Sequence, residues 1–87
     1  MILTVTRDFI PIARTSSWEQ QAYRAVVWQH DGQAAHVLTS PLPPEYALGL
    51  LRCEIDGVAV TLQDFDVALS TLGLTRVEIW RSILVRT

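Results

Sequence analysis

The chain contains no lysine and no asparagine, a single cysteine, and four glycines that are scattered rather than clustered. Without lysine and without a glycine-rich run there is no phosphate-cradling loop of the G-x-x-x-x-G-K type. With only Cys53 there is no intramolecular disulfide and no cysteine-based structural zinc cluster. Charge is also scarce: 18% of the residues are charged, against about 25% in typical globular chains. The formal net charge of −2 leaves no electrostatic footprint for nucleic acid or for an acidic membrane surface.

What is present is apolar. Hydrophobic residues make up 49% of the 87, which excludes a disordered chain and predicts one small domain over residues 1–87. All seven cations are arginine, a bias of the kind GC-rich coding produces, which points to a bacterial or mobile-element origin. Arg7 and Asp8 interrupt the N-terminal apolar stretch. No apolar run approaches the roughly 20 residues of a membrane span, and no signal peptide is read. Together with the lone cysteine, this predicts a cytoplasmic protein.

Residues 2–6 alternate as a first strand, with Leu3 and Val5 on one face. Residues 50–62 read as a hairpin. A two-residue type I′ turn at Asp56-Gly57 pairs Ile55 with Val58, Cys53 with Val60 and Leu51 with Leu62, and makes that whole face apolar. A helix over 44–55, ended by Gly57, is the rival. A helix over 62–72 follows, capped by Thr61 with Asp64. Its buried stripe is Phe65, Ala68, Leu69 and Leu72, and Gly73 ends it. Residues 75–86 read as a long strand with Val77, Ile79, Ile83 and Val85 on one face. Arg76, Glu78, Trp80, Ser82 and Arg86 lie on the other, and Arg81 falls awkwardly on the apolar side.

Residues 16–39 support two readings. Asp31-Gly32 can turn a hairpin between 23–29 and 34–39, pairing Val26 with Val37 and Trp28 with Ala35. Alternatively, Ser16 and Glu19 form a capping box that opens a helix to His30. Residues 40–49 form a proline-rich connector, whose PLPP segment reads as a rigid loop in preference to a polyproline ligand. The first reading gives an α+β fold, a mainly antiparallel sheet of four to six strands packed by one or two helices. The second gives a ferredoxin-like β-α-β-β-α-β order.

Catalytic groups are few. A hairpin puts His30 and His36 on opposite faces, so no metal site is expected. Cys53 with His36 is the one conceivable nucleophilic pair, but the hairpin buries Cys53 as a small hydrophobe. No catalytic residue and no cofactor are assigned, and the reading leans against an enzyme. The arginines and tryptophans point instead to contact with another protein, where both residue types dominate binding energy. The expected contact residues are Trp28, Trp80, Arg24, Arg76 and Arg81, on a sheet face that meets a protein partner or a second copy. The alternative is a small-ligand domain or enzyme subunit. Its pocket would lie between helix 62–72 and the sheet, or at a dimer seam, near Tyr23, His36 and Tyr46. Single-stranded nucleic acid is a weaker third reading, because Glu54 and Glu78 dilute any basic face.

Overall fold

A computed structural model describes residues 1–13, 17–38 and 42–86, with side chains through Leu84. The order is β1 (Leu3–Pro11), α1 (Trp18–Gln21), β2 (Tyr23–His30), β3 (Ala35–Val37), β4 (Tyr46–Ile55), β5 (Val58–Ala59), α2 (Leu62–Ser70) and α3 (Arg76–Arg86). The strands form one open antiparallel sheet in the order β3-β2-β1-β4-β5. This is an α+β fold without the terminal strand that the ferredoxin-like order requires. The first strand is longer than expected and central. Pro11 sits at its last position, where a missing N–H interrupts the ladder least.

The Asp56-Gly57 hairpin has the expected register, with Ile55 opposite Val58. The Val60 N–H donates to the Cys53 carbonyl. Both turn residues have positive φ, 50° at Asp56 and 82° at Gly57, as a type I′ turn demands. The rival helix over 44–55 does not form. Residues 46–49, read as connector, are the start of β4; Ser40 and Pro41 lie outside the described residues.

The second hairpin also forms, but its register is shifted by two residues. Trp28 faces Val37 and Gln29 faces His36, because the loop is four residues long. Asp31 Oδ1 accepts from the N–H groups of Gln33 and Ala34. That Asx-type closure competes with a two-residue turn. A shift of two preserves the faces, so His30 and His36 still point to opposite sides. Residues 17–30 combine both readings: one turn of helix at Trp18–Gln21, then a strand from Tyr23.

α2 is built as its sequence indicates. The Asp64 N–H donates to Thr61 Oγ1. At the other end Leu74 N–H bonds Leu69 O, and Gly73 N–H bonds Ser70 O, the paired closure that a left-handed glycine permits. Phe65, Ala68 and Leu69 are buried, whereas Leu72 is on the surface.

The tail corrects the reading above. Residues 76–86 are helix α3, not a strand. A reciprocal capping box starts it: Thr75 N–H donates to Glu78 Oε2, and Glu78 N–H donates to Thr75 Oγ1. α3 buries Ile79 and Ile83 with Phe65 and Leu69 of α2 against Leu3, Val5, Trp28 and Cys53 of the sheet. The molecule is long, 43 × 24 × 18 Å.

Two bulges shape the sheet. β2 carries an extra residue, Val27, between the Val5–Trp28 and Thr6–Val26 pairs. β4 carries one near Gly49-Leu50, between the Arg7–Leu51 and Phe9–Leu48 pairs. A Cβ on Gly49 would lie 2.8 Å from Asp8 Cβ, so the bulge closes on β1 only with glycine there.

Candidate functional site

The helix that replaces the expected strand brings Trp80 and Arg81 together, with an apolar partner at each end. Val77, Trp80, Arg81 and Leu84 recur at three- and four-residue spacing and line a shallow groove of about 500 Å³. At 3.6 residues per turn, this stripe lies about 130° around α3 from Ile79 and Ile83. α3 is therefore apolar on two sides. Val77 is 64% and Leu84 56% exposed, and Trp80 is half-buried with one side against the core. Arg81 makes no ion pair among the described residues. The only acid near the stripe in sequence, Glu78, is held by the cap of its own helix.

The other expected contact residues are placed elsewhere. Trp28 is 2% exposed in the core, in edge contact with Phe65 at 6.4 Å, so in this fold it is not available to a partner. The strand alternation assigned it to an outer face, but it shares the helix-facing side with Val5. Arg76 is half-buried, and its Nε lies 2.6 Å from Asp66 Oδ1, which ties the start of α3 to α2. Arg24 is on the open face of the sheet, its Nε 2.7 Å from Asp8 Oδ1, with Arg52 at 3.6 Å from the same carboxylate. The Arg24 hydrogen bond is the main reason the Asp8 carboxyl is held below its usual range. An open cleft of about 420 Å³ beside this pair is lined by Ile10, Trp18, Glu19 and Tyr23 among others.

Of the three alternative pocket residues, two meet and one does not. Tyr23 stacks on Phe9 at 5.0 Å and meets Tyr46 edge-on at 5.2 Å, and the Tyr46 hydroxyl donates to Gln21 O. His36 is on β3 at the far end of β2, its Nε2 3.3 Å from Asp31 Oδ2. That contact and the two loop N–H groups, the latter dominant, lower the Asp31 carboxyl to about 2. The interface between α2 and the sheet is filled by Phe65 and Leu69, both fully buried.

Cys53 is 3% exposed, and burial pushes its thiol up to about 11. A thiol so placed is protonated at neutral pH and a poor nucleophile. Arg7 is not among the residues the sequence singles out as a site. It lies on the helix-facing side, 4% exposed, between Ala25 and Leu51. Its Nε has no hydrogen-bond partner.

No protein-family model matches the chain, and no curated protein or solved structure matches it either.

Proposed function

We propose that this chain is a non-enzymatic protein-contact module, and that the outer stripe of α3 is its contact surface. The observation that carries the reading is the second apolar side of α3. An apolar stripe on a helix is ordinarily covered, and among the described residues the sheet and α2 cover only the Ile79 and Ile83 side, leaving Val77 and Leu84 exposed. Trp80 supplies an aromatic anchor already braced against the core, so little side-chain freedom is lost on docking. Arg81, cationic and without an ion pair among the described residues, selects a partner with a carboxylate beside its own apolar ridge.

A second copy fits the stripe less well than a different protein. An antiparallel pair of α3 helices related by a two-fold axis sets each Arg81 beside its symmetry mate. No acid is available in the stripe to compensate, and like charges across an interface cost affinity. No helix among the described residues is long and apolar enough to cross a membrane, which is compatible with a partner in the cytoplasm.

The test uses exposed positions, so that folding is not in question. Chains carrying Val77→Glu or Arg81→Glu are compared with wild type in affinity capture from a bacterial extract, alongside light scattering over a hundredfold concentration range. A protein retained by wild type and lost by both variants, with the chain itself monomeric, is the expected result. Identical captures for all three would sink the assignment. So would a dimer unaffected by either change.

A further inference from the structure

We propose that the exposed end of the helix-facing sheet surface binds a small organic monocarboxylate, with Arg7 receiving the carboxylate and Phe9, Tyr23, Leu48 and Leu51 receiving its apolar body. The site is separate from the α3 stripe, and it would stand if that stripe had no partner.

An arginine in the middle of the sheet is buried with its Nε unbonded. A guanidinium remains charged at every accessible pH. Removing one from water without a partner is among the costlier things a fold can do. Arg7 is nonetheless 96% buried, on the same side as Leu3, Val5 and Phe9. No carboxylate among the described residues lies within ion-pair distance of it, and Nε donates to nothing. The nearest acid in sequence, Asp8, points to the other face, where Arg24 and Arg52 hold it. Burial is also what lowers the Arg7 pKa from its ordinary value.

The surroundings define the anion. Arg7 is flanked across the strands by Ala25 and Leu51, and the next row on that face is Tyr23, Phe9 and Leu48. That row has no charge and reaches the surface at its two flanks: Tyr23 is 44% and Leu48 36% exposed, with Phe9 between them 8% exposed and stacked on Tyr23. An inorganic anion would satisfy Arg7 but leave the Tyr23 and Leu48 flanks uncovered. An alcohol would cover the flanks but leave the charge. A carboxylate on an apolar body does both, since a planar guanidinium matches a carboxylate with two parallel hydrogen bonds. Successive rows on one face are about 7 Å apart, so an acyl or aryl body of about eight carbons covers the flanks.

The probe is octanoate, used well below its micellar range, with octanol and acetate as matched controls. Thermal unfolding and backbone amide NMR are followed on wild type, Arg7→Met and Arg7→Lys. Octanoate is expected to raise the wild-type Tm saturably and to shift the amides of Phe9, Tyr23 and Leu48 but not those of Val77 or Leu84. Octanol and acetate are expected to do neither. Arg7→Met preserves the stem and removes the charge, so the free protein becomes more stable and its affinity falls at least about tenfold. Arg7→Lys, which folds with the charge in place, keeps a weakened response. Equal binding by Arg7→Met, or no saturable response in wild type, overturns the proposal. Octanoate shifts confined to α3 would also overturn it, and would transfer the ligand to the contact stripe instead.

Discussion

Gly49→Ala should destabilise the fold by roughly 1–2 kcal/mol, although alanine ordinarily stabilises a strand relative to glycine. The added Cβ would stand 2.8 Å from Asp8 Cβ, 2.9 Å from Ile10 Cδ1 and 3.1 Å from Asp8 O. Carbon atoms settle at about 3.5–4.0 Å, so the shortfall is about 0.7 Å. Ile10 can rotate its terminal methyl away. Asp8 cannot yield in the same way, because its Cβ and carbonyl belong to the central strand. The bulge must therefore back off from β1, at the roughly 1–3 kcal/mol typical of overpacking. About 0.4–1 kcal/mol is returned by the stiffer unfolded chain. In a domain of this size the net loss corresponds to a Tm lower by about 5–15 °C. Urea unfolding followed by the fluorescence of buried Trp28 measures it, with the m-value expected to be unchanged. Ile10→Val deletes the Cδ1 atom and should recover part of the loss in a double-mutant cycle. An unchanged midpoint for Gly49→Ala would falsify the close approach on which the whole bulge rests.

Two further predictions concern titration. The Cys53 thiol has its pKa raised from 9.0 to about 11 by burial, so the unfolded chain ionises first as pH rises. Its contribution to stability is complete below pH 9 and is lost as pH climbs through about 11. At pH 8, iodoacetamide should label Cys53 only in denaturant; rapid labelling of the native chain would contradict its burial. Asp31 has the opposite sign. Its carboxyl is lowered from 3.8 to about 2 by the Ala34 and Gln33 N–H groups and His36. The loop is therefore favoured above pH 4 and loses that support as pH falls through about 2. Asp31→Ala should flatten the acid limb of the stability curve and exchange the amides of Gln33 and Ala34 faster. An acid limb identical to wild type would show that the loop closes by other means.

Local signals were legible where several of them agreed. Asp56-Gly57 had flanking residues of matching period, and Thr61 had both a capping partner and Gly73 a helix-length away. Those elements form, with Ile55 opposite Val58 as expected, but the expected Leu51–Leu62 pair is lost because Leu62 already starts α2, and α2 ends at Ser70. The Asp31-Gly32 hairpin failed in register because the same dipeptide can close a four-residue loop when the aspartate binds its own backbone, and alternation is blind to a shift of two. α3 was misread because Val77, Ile79, Ile83 and Val85 are β-branched and alternate in pairs. The opposing signal is Thr75 with Glu78, a capping pair of the same kind as Thr61 with Asp64. Trp28 followed from neither pattern, since Val27 is an extra bulged residue beside it and both are drawn into the core.

The residues that broke the pattern were the informative ones. Two arginines stand against apolar neighbours: Arg81, on the apolar side of the expected tail strand, and Arg7, which lies beyond the expected strand 2–6 but inside β1 as it forms. A strand would have buried Arg81 with Ile79 and Ile83; once the tail is a helix, the side chain moves to the outer stripe and the conflict disappears. The misfit at 81 was evidence against the secondary structure assigned to it. No such change relieves Arg7, because β1 extends through it and its odd residues face the helices. A conflict that survives the correct fold marks a strained or functional position. Natural chains keep such local inconsistencies chiefly where something binds. The exposed apolar stripe of α3 is the ground for proposing a protein partner, and Arg7, 4% exposed with Nε unbonded, is the ground for proposing an anionic ligand.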